Sequence, residues 1–154
     1  AVEWVGSVLT PAGLSVWRRL PRHDRRHSIR VARDVQAALA GTEHAGDPRW
    51  IEAALLHDVG KLDAHLGIVG RVGATLAAAA AGPDLADAWS AKRGITRRVG
   101  LYLRHPELGA DRIRMSGGSP EAARWAECHQ DARRHASSGL PPDVIAALAA
   151  ADDD

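Results

Sequence analysis

The sequence has few of the residues on which disulfide-linked or β-sheet folds depend. It contains one cysteine, one tyrosine, one methionine and no phenylalanine among 154 residues. The single cysteine, Cys128, excludes an internal disulfide and favours a reducing compartment, so we expect a cytoplasmic protein. Because β-branched and aromatic residues are sparse while alanine and leucine are abundant, the composition favours helices over sheets.

Long apolar runs are also missing. No stretch approaches the roughly 20 residues that span a membrane, and the longest candidate, GATLAAAAAG, is closed by Gly82-Pro83. The first ten residues lack a basic flank, so we expect no signal peptide. The net charge of +1 argues neither for nor against an anionic partner. Basic residues cluster only locally and without interleaved aromatic side chains, so nucleic acid is an unlikely partner. The oligomeric state is left open.

Helix start signals recur along the chain. Thr10-Pro11, Asp47-Pro48 and Ser119-Pro120 each place a capping side chain before a proline that suits the first helical turn. Apolar residues between such signals follow helical spacing, and strand-like alternation is missing. The pattern predicts an all-α bundle of about seven helices in one domain, residues 1–154, with 1–23 as a helical extension. The predicted helices cover residues 11–20, 24–41, 47–61, 71–82, 96–104, 119–129 and 141–154.

One segment, ALLHDVGK, ends an apolar run with three groups that carry chemistry: His57, Asp58 and Lys61. Adjacent helical residues point about 100° apart, so His57 and Asp58 can flank one point from two sides. Imidazole nitrogen and carboxylate oxygen both ligate divalent transition metals. Two residues cannot hold a metal alone, so other helices must supply further ligands.

Other helices carry candidates for this purpose. His27, His105, His129 and Asp152 each lie at a helix face or end beside apolar neighbours, where inward-facing ligands of a bundle are expected. A lone histidine is more often structural than a ligand. The ordered set therefore carries more weight than any single member.

The segments RRHSIRVA, AALLHDVGK and ALAAADD, in this order, resemble the HD-domain superfamily of metal-dependent phosphohydrolases. The resemblance covers nearly the whole chain and implies an HD-domain-like helical bundle. It implies a metal-binding set of His27, His57, Asp58 and Asp152. Asp153 and Asp154 compete for the last position, and Asp152 is preferred because it directly follows the alanine run.

Two further segments, HPELGADRI and WAECHQ, are similar to those that supply two more histidines in binuclear members of the superfamily, which implies His105 and His129 as ligands. HD-GYP phosphodiesterases, YqeK-type diadenosine tetraphosphate hydrolases and HD-fold di-iron oxygenases share this arrangement. His129-Gln130 stands where HD-GYP proteins have a His-His pair, and the GYP signature is missing. Both departures argue against cyclic-dinucleotide hydrolysis and a third metal.

This ligand inventory favours two divalent transition-metal ions. Asp58 can bridge them, with His27 and Asp152 on one ion and His105 and His129 on the other. Mixed imidazole and carboxylate ligation suits Mn, Fe, Co, Ni or Zn better than Mg or Ca, which prefer oxygen ligands. The sequence does not choose among these metals.

Basic residues near the proposed ligands are candidates for substrate binding. Lys61 can hold a substrate phosphate as a point charge, although its alternative is a solvent-exposed ammonium. Arg26 and Arg30 are four residues apart beside His27 and can act together on a phosphate. Arg71 follows a glycine-spaced segment, and the resemblance implies that this region covers the site. Such arginine clusters otherwise form solvated faces.

The expected function is therefore a metal-dependent phosphohydrolase that acts on a nucleotide or phosphate ester through a metal-activated water, with Asp58 and Lys61 in catalytic roles. Two alternatives stay open: a di-iron oxygenase on the same scaffold, and a non-catalytic module that senses a nucleotide or binds a partner protein. Oxygen consumption without phosphate release indicates the first alternative, and ligand binding without turnover indicates the second.

Overall fold

The computed structural model of the chain describes residues 1–64 and 88–153. Every regular element in these two ranges is a helix, so the predicted all-α class is confirmed. None of the helices there has the length and apolarity that a membrane crossing requires. The predicted helix over residues 71–82 lies outside the described residues, as does Arg71.

The two described ranges contain ten helices, more than the seven predicted for the whole chain. They are α1 Val2–Val8, α2 Pro11–Arg18, α3 Arg22–Ala38, α4 Pro48–Leu56, α5 Lys61–Ala64, α6 Gly94–Leu103, α7 His105–Met115, α8 Pro120–Cys128, α9 Ala132–His135 and α10 Pro142–Asp153. The predicted helices did not include α7, whose second residue is Pro106. Proline is tolerated in the first turn of a helix, where its missing N–H has no helical partner, so α7 begins at His105.

The capping side chains act as the sequence predicts. The Thr10 hydroxyl accepts a hydrogen bond from Gly13 N–H at 2.9 Å, and the Ser119 hydroxyl accepts one from Ala122 N–H at 3.2 Å. The Asp47 carboxylate accepts one from Arg49 N–H at 3.0 Å. Each bond satisfies a backbone donor that the first helical turn leaves unpaired, and this defines where α2, α4 and α8 begin.

Helix α4 is the central element of the bundle. Its residues from Trp50 to Leu56 are all buried, and it packs against α3 on one side and α8 on another. Helix α8 in turn packs against α7, and α10 packs against α3. Because α4 ends inside the protein, the residues that follow it, His57 to Gly60, are also buried. Polar side chains are thus delivered into the interior of the bundle.

Candidate metal centre

All six predicted metal ligands lie together around the C-terminal end of α4. They come from five helices or helix ends and form two groups. Within each group, the potential ligand atoms lie within 4.8 Å of one another. Either group can hold a metal ion. The first group is His27, His57 and Asp152, and the second is Asp58, His105 and His129. We call them the outer triad and the inner triad.

The outer triad joins α3, α4 and α10. Asp152 Oδ1 lies 3.0 Å from His27 Nε2 and 3.2 Å from His57 Nε2. The side chains of His27 and Asp152 are 29% and 24% exposed, whereas that of His57 is 1% exposed. This triad therefore borders solvent on the side of α3 and the C-terminal turn of α10.

The inner triad is buried throughout. Asp58 Oδ1 lies 3.4 Å from His105 Nε2 and 3.7 Å from His129 Nε2. The exposed fraction of each of these three side chains is at most 4%. His105 is the first residue of α7 and His129 caps the C-terminus of α8, so two helix ends meet at one carboxylate.

Asp58 connects the two triads. While its Oδ1 faces the inner histidines, its Oδ2 lies 3.5 Å from His57 Nε2 and contacts Lys61 Nζ. Lys61, predicted to bind substrate, thus forms an ion pair with the carboxylate at the centre of the cluster. The two oxygens of one side chain are presented to two neighbouring sites, as a bridging carboxylate requires.

Three of the histidines are held in the same way. The Nδ1–H groups of His57, His105 and His129 donate to the backbone carbonyls of the residues three positions earlier, at 2.7–2.8 Å. A histidine that donates from Nδ1 presents the lone pair of Nε2 to the other side. Hydrogen bonds from the second ring nitrogen orient metal-binding histidines in this manner.

Among residues 1–64 and 88–153, the atoms presented in this way have no hydrogen-bond partner. His57 Nε2, Asp58 Oδ1, His105 Nε2 and His129 Nε2 are all buried and unsatisfied. Leaving one buried polar atom unpaired costs about 1–3 kcal/mol, so four at one point require an explanation. A cation bound among them supplies one. The carboxylate-to-imidazole distances within the triads, 3.0–3.7 Å, are close to the separations of about 3.0–3.4 Å expected for ligands about 2.1 Å from a common octahedral or tetrahedral ion.

His27 is held differently from the other three. Its Nδ1 faces Arg30 Nη2 at 3.2 Å, and a guanidinium can only donate. While that contact persists, a neutral His27 carries its proton on Nε2, which donates to Asp152 Oδ1. This tautomer is unsuited to metal ligation through Nε2. Metal binding by His27 therefore requires Arg30 to move away and the proton to relocate.

The electrostatics of the cluster favour a protonated His57, whose proton on Nε2 a bound metal would replace. Burial by itself lowers the pKa of His57, but the charge of Asp58 and the contact with Asp152 raise it to about 9. Burial opposes ionisation of Asp58 as well, yet the charges of His57 and Lys61 hold its pKa well below the usual range. Burial lowers the pKa of His129, so its imidazole is neutral and able to ligate. Transition metals suit such mixed nitrogen and oxygen donors.

The remaining predicted residues lie at different distances from this cluster. Arg30 reaches it through His27, whereas Arg26 is exposed one turn earlier on α3. Cys128 is buried beside His129, and burial raises the pKa of its thiol, so it is a packing residue and not a nucleophile.

The sequence reading missed the groups that orient the ligands. The carbonyls of Ala54, Tyr102 and Ala126 accept the three Nδ1–H bonds. Two of these histidines cap helix C-termini, where the last carbonyls have no helical partner, and this position was a usable signal. For His105, which begins α7, the relevant carbonyl belongs to the preceding helix α6, and no sequence pattern marks it.

Comparisons of the chain with models of protein families, with curated proteins and with solved structures give no match.

Proposed function

We propose that this protein is a metal-dependent phosphohydrolase that acts on a small phosphorylated molecule, a nucleotide or a phosphate ester. The observation that carries the proposal is a set of four buried atoms that could bind a metal and that have no hydrogen-bond partner among the described residues. They belong to His57, Asp58, His105 and His129. They lie beside a second set of donors that opens to solvent. The resemblance of the sequence to the HD-domain superfamily supports the same assignment.

The geometry supports the following ligand roles. The outer triad would hold one ion and the inner triad another, with Asp58 placed between them. When bound, two such metal ions lower the pKa of a coordinated water and neutralise charge that develops on phosphate oxygens. We infer a divalent ion of Mn, Fe, Co, Ni or Zn at each position, because these tolerate imidazole together with carboxylate.

The solvent-facing side of the centre suits an anionic substrate. Lys61 is 15% exposed beside Asp58, and Arg30 lies next to the part-exposed His27. Arg30 contacts His27 of the outer triad, and Lys61 contacts Asp58 of the inner triad. Arginine binds phosphate oxygens in a planar, bidentate manner, and lysine contributes a compact charge.

Lys61 has a second role in this proposal. Its contact with Asp58 is one of the interactions that hold the pKa of that carboxyl low, so Asp58 stays ionised as a ligand. A substrate phosphate that attracts Lys61 competes with Asp58 for the same ammonium. Lys61 therefore positions substrate and ligand relative to each other.

The test is a phosphate-release screen with protein saturated in turn with each metal. Nucleotides and simple phosphate esters serve as substrates. We expect phosphate release that a chelator abolishes and that fails in His57→Ala, while the helical circular dichroism of the variant stays at the wild-type level. Phosphate release from His57→Ala at the wild-type rate would contradict the proposal.

The same preparations separate the alternatives. An iron-loaded protein that consumes oxygen and releases no phosphate would indicate a di-iron oxygenase instead. A protein that binds nucleotides but shows no turnover with any metal would indicate a sensor module.

A further inference from the structure

Two glycines meet where the turn that follows α4, residues 57–60, contacts α7. A Cβ atom added to Gly60 would lie 1.8 Å from the carbonyl oxygen of His105 and 2.7 Å from the backbone nitrogen of Gly109. A Cβ atom added to Gly109 would lie 3.1 Å from the backbone nitrogen of Gly60. Neither glycine has a positive φ, so backbone conformation does not require glycine here. Close approach of the two backbones does.

This crossing lies between two parts of the metal centre. Gly60 follows Asp58 by two residues, and Gly109 lies one helical turn after His105. The carbonyl of His105 and the N–H of Gly109 are four residues apart in the first turn of α7, the spacing of a helical hydrogen bond. Gly60 therefore rests on the turn that carries the His105 imidazole, whose Nε2 lies 3.4 Å from Asp58 Oδ1.

We propose that the Gly60–Gly109 crossing is a positioning device that sets the separation of Asp58 and His105 and thereby the metal affinity of the inner triad. This inference rests on the metal centre of the proposed function, but it does not depend on the reaction. Any side chain larger than that of glycine at the crossing pushes α7 away from the turn that follows α4. The histidine moves with its helix while the carboxylate stays on the other element.

The two positions provide a strong and a mild variant. Gly60→Ala brings a methyl group against backbone atoms that cannot rotate away, so α7 must move by about 1 Å or more. Gly109→Ala needs a movement of only a few tenths of an ångström. Alanine also favours the helical conformation of α7, which offsets part of the strain in that variant.

The experiment titrates the full-length, metal-free protein with Co²⁺ and follows the visible absorption of the bound ion, which reports its coordination geometry. We expect Gly109→Ala to bind the inner-triad ion about 10- to 100-fold more weakly, with an altered spectrum, the range seen when groups that orient ligands are disturbed. Gly60→Ala should lose that ion. In both variants the outer-triad ion should be affected less.

Gly6→Ala is the matched control. Gly6 lies in the interior of α1, where an added Cβ would meet only Leu14 Cδ2 at an ordinary 3.5 Å. Its Co²⁺ affinity and spectrum should equal those of the wild type. Thermal unfolding of each metal-free variant monitors the fold independently of the metal.

Several outcomes would overturn the inference. Wild-type Co²⁺ affinity and a wild-type spectrum in the Gly109→Ala variant would contradict it. A Gly109→Ala chain without a cooperative unfolding transition would also do so, because the crossing would then be a requirement of the fold. If wild type binds Co²⁺ and the variants lose it, yet no metal supports phosphate release, the positioning role stands and the proposed function fails.

Discussion

The two triads of the metal centre differ in how far the protein has prepared them for a metal. The three side chains of the inner triad are buried, and Asp58 Oδ1, His105 Nε2 and His129 Nε2 have no hydrogen-bond partner in the part of the chain that the structure describes. In the outer triad, His27 and Asp152 are part-exposed and already hydrogen-bonded to each other at 3.0 Å. A metal that binds the outer triad must replace an existing interaction, whereas one that binds the inner triad satisfies atoms that have none.

This difference assigns separate tasks to the two halves of the centre. A preorganised, dry triad favours a tightly held ion, because no ligand has to be desolvated or reoriented when it binds. A part-exposed triad favours an exchangeable ion and access for a substrate. We therefore expect the inner triad to fill first in a metal titration.

The largest effect is expected at Asp58, whose two oxygens face members of both triads. Asp58→Asn keeps the size of the side chain but removes the charge, so we expect both ions to be lost and turnover to fall by about 1,000-fold or more. Elemental analysis of the purified variant measures the first effect and a phosphate-release assay the second. Asp63 lies close by on α5 and forms an ion pair with Arg112. Asp63→Asn is the control and should retain both metal ions.

Removing one histidine from each triad tests the comparison directly. His129→Ala should abolish the tighter of two binding events in an isothermal titration with Mn²⁺ or Zn²⁺, whereas His27→Ala should abolish the weaker one. His44→Ala, which touches Asp143 away from the centre, should leave both events intact. If His27→Ala instead removed the tighter event, the expected order of filling would be reversed.

The stability of the chelator-stripped protein should depend on pH through His57. Because its pKa in the folded protein is raised from 6.5 to about 9, the stabilisation is complete below pH 6.5 and is lost as the pH rises to about 9. We expect a loss of up to about 3 kcal/mol in the free energy of unfolding, measured by urea denaturation.

Two controls accompany this measurement. His57→Gln should show no such decline over the same pH range. Metal-saturated wild type should show the opposite trend, because a metal competes with the proton for the imidazole lone pair. A stripped wild-type protein whose stability is constant between pH 6 and 9 would show that the cluster does not hold a proton in place of a metal.

The smallest effect is expected at Arg30. Arg30→Gln replaces a donor with a side chain whose carbonyl can accept from Nδ1–H of His27, so the tautomer needed for ligation becomes available. We expect the outer-triad ion to bind about two- to tenfold more tightly, since the contact is exposed and weak. Nitrogen NMR of the metal-free protein can follow the position of the His27 proton.

A matched variant separates the tautomer from the charge. Arg26→Gln removes the same charge one turn earlier on α3. In the described structure the Arg26 guanidinium makes no hydrogen bond to the His27 ring. It should change the affinity of the outer-triad ion less than Arg30→Gln. Equal effects of the two variants would mean that charge alone is responsible.

Much of the fold could be predicted from local signals. The capping residues Thr10, Asp47 and Ser119 define helix starts through hydrogen bonds within a single turn, so no tertiary knowledge was needed. The separate helix α7 could not be predicted with confidence from Pro106, because proline both ends helices and begins them. Which role it takes depends on whether the next turn is packed, as α7 is against α8.

The sequence by itself determined the chemical inventory of this protein: which side chains can ligate, and that they occur at helix ends beside apolar residues. Ligand type and amphipathic placement are local properties, so they can be seen without coordinates. The packing of the helices decides that His57 pairs with Asp152 while Asp58 faces His105 and His129, and that Gly60 and Gly109 meet beside His105. These partners are separated by up to about a hundred residues, and their contacts exist only because five helices pack around the buried end of α4.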